Sequence, residues 1–166
     1  DAENTMQNVD TAALDKKNLR LYYETWRWIY NTWEAYVKGE ARSDIYAKKA
    51  DAYLDTLCMI EPGNTADGLY FKAEKQWNLG NLKEAEKNYL ACISKLDKSE
   101  RIYASACCAL AMVYDMQERY DDYEHYMILA AISDQSIPLK ENLAMQELAE
   151  YLSHHKMEYT QAQRYL

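Results

Sequence analysis

The sequence predicts an all-α chain, a right-handed solenoid of antiparallel helix hairpins with no sheet. Three observations carry this. Apolar residues recur every three or four positions along nearly the whole chain, the spacing of helices that each bury one face. Only four Gly and two Pro occur in 166 residues, so connections between helices must be few and short. Runs of β-branched residues are scarce, so little competes locally with helix. With 49% hydrophobic and 28% charged residues, the chain has the apolar material for a core of its own.

The stretch from Ala66 to Asp97 organises the rest. Leu69, Ala73, the stem of Gln76 and Leu79 mark one face of a helix, and Gly80-Asn81 breaks it. Ala85, Tyr89, Cys92 and Leu96 mark the inward face of the next helix, with Glu86 on its solvated side. Gly80 can take left-handed backbone and so reverse the chain within two or three residues. Ala85 is small enough to let the two helices approach closely. This segment resembles one tetratricopeptide (TPR) repeat. Such a hairpin cannot bury its apolar faces alone, and stacked copies make a binding surface more often than a catalytic one.

Residues 1–11 form a polar N-terminal segment without periodicity, and 12–166 read as one TPR-like helical-repeat domain. Its hairpins are expected at about 12–61, 65–97, 101–134 and 139–166, the last truncated. In the first, Leu19, Tyr22, Tyr23, Trp26, Ile29, Tyr30, Trp33 and Val37 share a long helix that Gly39 ends. Ser43 is the expected N-cap of its second helix, which carries Tyr46, Ala47, Ala50, Leu54 and Leu57 and stops at Glu61-Pro62-Gly63-Asn64. The third hairpin superposes on the second at an offset of 38 residues, with its turn at Gln117-Glu118-Arg119 and Tyr123 in the place of Ala85. So large a residue there implies a wider helix approach or a compensating small one, Ala106 or Ala109. The fourth unit begins with Leu143, Leu148, Ala149 and Leu152, and its truncation implies an apolar flank that self-association or further chain would cover.

A formal net charge of −8 disfavours nucleic acid as a partner, because phosphate binding needs clustered Lys and Arg. Cys58, Cys92, Cys107 and Cys108 lack metal-ligand spacing and read as small core residues. His154-His155 has no Cys or Glu at zinc-helix spacing, and Glu118, Asp121, Asp122 and Glu124 lack the alternation and central Gly of a calcium loop. There is no Gly-rich phosphate loop, Ser-His-Asp set or nucleophile elbow, so the expectation is no enzyme, no cofactor and no metal. No stretch approaches the ~20 apolar residues of a membrane span, and no signal peptide is visible. The chain starts in polar sequence and stops at Tyr165-Leu166 inside an expected helix, which reads as an excised piece.

Stacked hairpins of this kind bind through a concave face lined by the first helix of each. That register offers Asp67, Tyr70, Glu74, Trp77 and Asn78, then Ser105, Cys108, Met112, Asp115 and Met116, then Gln146, Glu150 and His154. The binding candidates among them are Asp67, Tyr70, Glu74, Trp77, Asn78, Met112, Asp115 and Glu150. Rings beside carboxylates and amides suit the CH faces and hydroxyls of an oligosaccharide, and equally a partner helix in a groove. The TPR domains that clamp a C-terminal carboxylate use Lys, Arg and Asn where this chain has Tyr70 and Glu74, which speaks against that role. Packing between helices is the commoner use of such a stripe, and sixteen Tyr and four Trp against one Phe fit seams whose hydroxyls still reach water. Trp26, Trp28, Tyr30 and Trp33 leave one helix on all sides, and Trp28 is the ring expected off the core.

A closer likeness lies toward the C-terminus. His125-Tyr-Met-Ile-Leu-Ala-Ala-Ile-Ser-Asp134, Leu139-Lys-Glu-Asn-Leu-Ala-Met-Gln-Glu-Leu-Ala149 and Tyr159-Thr-Gln-Ala-Gln-Arg-Tyr165 resemble the end of the sensor part in a family of TPR-bearing regulators from Bacteroidetes, similar to the starch-utilisation regulator. Tyr46-Ala-Lys-Lys-Ala-Asp-Ala-Tyr-Leu-Asp55 and the Tyr-rich helix before it extend the likeness over most of 18–166. The resemblance implies a periplasmic, ligand- or protein-binding sensor fragment of a membrane-anchored transcription regulator, whose membrane helix and helix-turn-helix region lie in other segments. The alternative is a helical carbohydrate-uptake lipoprotein of the outer membrane.

Overall fold

In the computed structural model, residues 8–133, 146, 148–151 and 153 are described, and among them there is no strand. Contacts divide the chain into two compact units, Asp1–Pro62 and Gly63–Leu166.

In the first unit a short 3-10 turn, Thr11–Ala13, leads to Asp15. The extended backbone of Asp15 lets its carboxylate accept the Asn18 N–H at 2.8 Å, which starts α1, Lys16–Tyr36. Gly39, at φ +92°, turns the chain into α2, Ser43–Ile60. Ser43 is the first residue of that helix rather than its N-cap, and its hydroxyl donates to Glu34 Oε1 at 3.2 Å. The reason is local: Arg42 before it is already helical at φ −77°, ψ −14°, so the entry has no extended residue from which a side chain could cap.

The two helices run antiparallel, as their ring pairs show: Tyr23 meets Tyr53 while Trp33 meets Tyr46. Buried Tyr30 stacks on Trp26 at 5.5 Å and on Tyr53 at 5.8 Å, and the Lys49 ammonium sits 4.8 Å from its centroid. Each ring pair contributes about 0.5–1.5 kcal/mol beyond the area it buries. At the far end buried Glu61 holds Lys16 Nζ at 3.0 Å, with Arg20 at 4.0 Å. This ties the start of α1 to the end of α2 and compensates a carboxylate that would be costly to bury alone.

In the second unit Thr65 caps α3, Ala66–Asn78, through Gly68 N–H to Oγ1 at 3.1 Å. There follow α4, Leu82–Ile93, then α5, Arg101–Met116, and α6, Tyr120–Ser133. The turns α3–α4 and α5–α6 repeat one geometry. Asn81 N–H donates to Gln76 O at 2.8 Å, and Arg119 N–H to Tyr114 O at 2.9 Å. Gly80 and Glu118 take the same left-handed place, at φ +75° and +59°. These are the bonds of a Schellman helix end, and they place Gly80 and Glu118 at the 38-residue offset read from the sequence.

The core of this unit runs through Ala73, Ala85, Tyr89, Cys107, Leu110 and Met127, each fully buried. Ala85 therefore stands where the sequence required a small residue. Tyr123 is also buried and sets its ring 4.6 Å from Tyr151, while Ala106 is fully buried and Ala109 only partly. Leu79 is a correction: it is 63% exposed, because it is the C-cap residue and the chain has begun to turn away from the core there. Leu82, just past the turn, packs on the core instead. All four cysteines are free; Cys92 and Cys107 are buried, and Cys58 and Cys108 half-buried. Most of the fourth hairpin, with His154-His155, lies outside the described residues.

Candidate functional site

Two helices set out the site, since α3 and α5 are the first helices of neighbouring hairpins and touch each other. Trp77 lies in the last turn of α3, and its indole Nε1–H donates to Met116 Sδ at the end of α5, at 3.0 Å. The ring is half-buried and packs on the core, so it takes part in the seam while part of it still meets water. Tyr70, two turns earlier, is also half-buried and stands edge-on to Tyr89 and Phe71, each at 5.8 Å. Asp67 and Glu74 on α3, with Met112 and Asp115 on α5, are half-buried, and Asn78 is exposed. The expected residues of α3 and α5 thus lie on two adjoining helices, and Trp77 and Met116 are brought into direct contact.

The other two candidates stand elsewhere. Glu150 is exposed, in the helical segment 148–151. Trp28 is 68% exposed on α1, in the first unit.

One cluster escaped the sequence reading. Glu86 on α4, assigned there to the solvated face, accepts three side-chain hydrogen bonds from the next hairpin. They come from Arg119 Nη1 at 2.9 Å, Tyr114 Oη at 3.3 Å and Gln117 Nε2 at 3.3 Å. Arg119 also pairs with Asp122 Oδ2 at 2.7 Å and lies 4.3 Å over the Tyr114 ring. Burial first, then the neighbouring Glu86 charge, pushes the Tyr114 phenol well above its usual range. The hydrogen bond to Glu86 is the main cause that raises the Arg119 guanidinium. The repeat register gave no signal for it: at the 38-residue offset the counterpart of Glu86 is Glu124 and that of Arg119 is Asn81, so the pairing joins positions that do not correspond.

Chemically, the site offers ring faces, a thioether and carboxylates. Burial pushes the Cys92 thiol up to about 12 and that of Cys107 to about 11, so neither supplies a thiolate near neutral pH. Among the described residues no three His, Cys, Asp or Glu side chains are grouped to hold a metal, and no helix is long and apolar enough to cross a membrane.

Hairpins stacked through small-residue seams, with a mixed aromatic and acidic face, define a TPR-like helical solenoid, the class of scaffold that mediates protein interactions. The chain belongs to the family described as the SusR N-terminal TPR domain, which matches it over residues 1–166. Among solved structures it is similar to the crystal structure of MamA, with a TM-score of 0.53 and 16% identity, over 91% of this chain and 88% of that one. At that identity the likeness shows the fold alone. No curated protein matches the sequence.

Proposed function

We propose that the chain is the non-catalytic sensor part of a membrane-anchored transcription regulator, lying on the periplasmic side. It binds a protein or oligosaccharide across the face formed by α3 and α5. The observation that carries this reading is the family match over the whole chain. The half-exposed row Tyr70, Glu74 and Trp77, at i, i+4 and i+7 of α3, supports the choice of face. In a regulator of this kind the bound partner biases a signal that other segments pass on to DNA.

The test is made in the source bacterium with the full gene. Its deletion should abolish the induction of a limited set of transcripts, and Trp77→Ala at unchanged protein level should reproduce much of that loss. Transcript profiles unaffected by the deletion would refute the regulator reading. A fused reporter enzyme that matures only in the periplasm tests the location, and an inactive fusion would refute it.

A further inference from the structure

We propose that the α3–α5 face takes a basic, apolar peptide segment of a protein partner. Trp77 and Met116 meet its apolar side chains, and Glu74, Asp115 and Asp67 face its lysines and arginines. This rests on the binding reading above and names the chemistry of the partner.

Three observations carry it. Met116, at the end of α5, is 56% exposed beside the half-buried Trp77 ring, an apolar patch that the core does not absorb. The Trp77 N–H donates to a thioether, a weak acceptor. A peptide carbonyl is a stronger one, so the indole can exchange its bond with gain when a partner's backbone arrives. Finally, the charge along this register is of one sign. From Ile102 to Met116 there is no Lys, Arg or His, and Asp115 stands among these residues. On α3 the cations are Lys72 and Lys75, which lie about 160° and about 100° around the helix from Glu74 at 3.6 residues per turn. An acidic, aromatic strip repels an anionic partner and steers a cationic one, whose apolar side chains then have Trp77 and Met116 to cover.

The test uses the full 166-residue chain and a labelled amphipathic peptide of Leu and Lys, about five helical turns long, read by fluorescence anisotropy. A second peptide carries Glu in place of every Lys. The Lys peptide should bind at least about tenfold more tightly than the Glu peptide, and its binding should weaken as salt rises from about 50 to about 300 mM. Glu74→Lys and Asp115→Lys should each weaken binding about tenfold. Glu84→Lys, the same change of net charge at an exposed position of α4, should alter it less than about twofold. Trp77→Phe keeps a ring and removes the N–H, and it should weaken binding about threefold to tenfold with the melting curve retained.

Equal effects of Glu74→Lys, Asp115→Lys and Glu84→Lys would mean attraction by bulk charge only and would overturn the proposal, as would equal binding of the Glu peptide. Failure of the wider reading looks different. If Trp77→Phe impairs induction in cells while the Lys peptide does not bind, the regulator reading stands and the basic partner falls. If the Lys peptide binds as described but transcripts ignore the gene's deletion, the reverse holds.

Discussion

Removing the Glu86 carboxylate should cost about 1.5–3 kcal/mol of stability, far more than its place on an outer helix face suggests. The figure builds from its partners. Tyr114 is 3% exposed, so losing its acceptor leaves a buried hydroxyl that water reaches poorly, at about 1–2 kcal/mol. The Arg119 pair is more open, with side chains 43% and 21% exposed, and contributes about 0.5–1 kcal/mol. Gln117 is half-buried and recovers water readily, so its share is small. Urea unfolding of Glu86→Ala against wild type measures the total, and Glu84→Ala is the control. Glu84 pairs with Lys87 at 3.5 Å, both side chains are more than half exposed, and its loss should stay under about 0.5 kcal/mol. In 1 M salt, where screening acts within about 3 Å, the Arg119 share should fade and the Tyr114 share persist. If Glu86→Ala and Glu84→Ala prove equal, the network does not join the two hairpins in solution and the reasoning fails.

Ala85 has no exposed surface, so Ala85→Leu should destabilise by about 1–3 kcal/mol through overpacking, read from thermal melts. A neutral result would show that the crossing is looser than the core implies. At the two left-handed turn positions the signs should oppose. Gly80→Ala should cost about 1 kcal/mol from backbone alone, since an added Cβ meets nothing within 4 Å, while Glu118→Gly should gain about 0.5–1 kcal/mol by relieving its φ of +59°. Alkaline titration tests the buried acids. Their folded pKa values are raised, so the unfolded chain releases protons first; stability should hold below about pH 9 and fall above it by about 1.4 kcal/mol per pH unit for each retained proton. Cys92 and Cys107 should accordingly resist iodoacetamide at pH 8 in the native protein, while Cys58 and Cys108 react first. Prompt labelling of Cys92 would contradict its burial.

What the sequence by itself determined is what depends on near neighbours. Helical period follows from side-chain spacing along one segment, which is why the seam residues Ala73, Ala85 and Tyr89 were legible as a buried face. The Gly80 turn was legible because glycine states a backbone requirement directly. The matching turn at Glu118 follows from the 38-residue offset between repeats, whereas its left-handed backbone does not, since glutamate gives no such sign. Tertiary structure decided whatever needs two distant segments in one place. Glu86 looks solvated on its own helix, and only the next hairpin brings Tyr114, Gln117 and Arg119 against it. Leu79 fits the apolar period, yet the chain turns at that residue and leaves it outside. The expected row on α3 could be written down as a face. That Trp77 reaches across to Met116, half in the seam and half in water, depends on how closely α3 and α5 approach, a distance set by packing that no local pattern encodes.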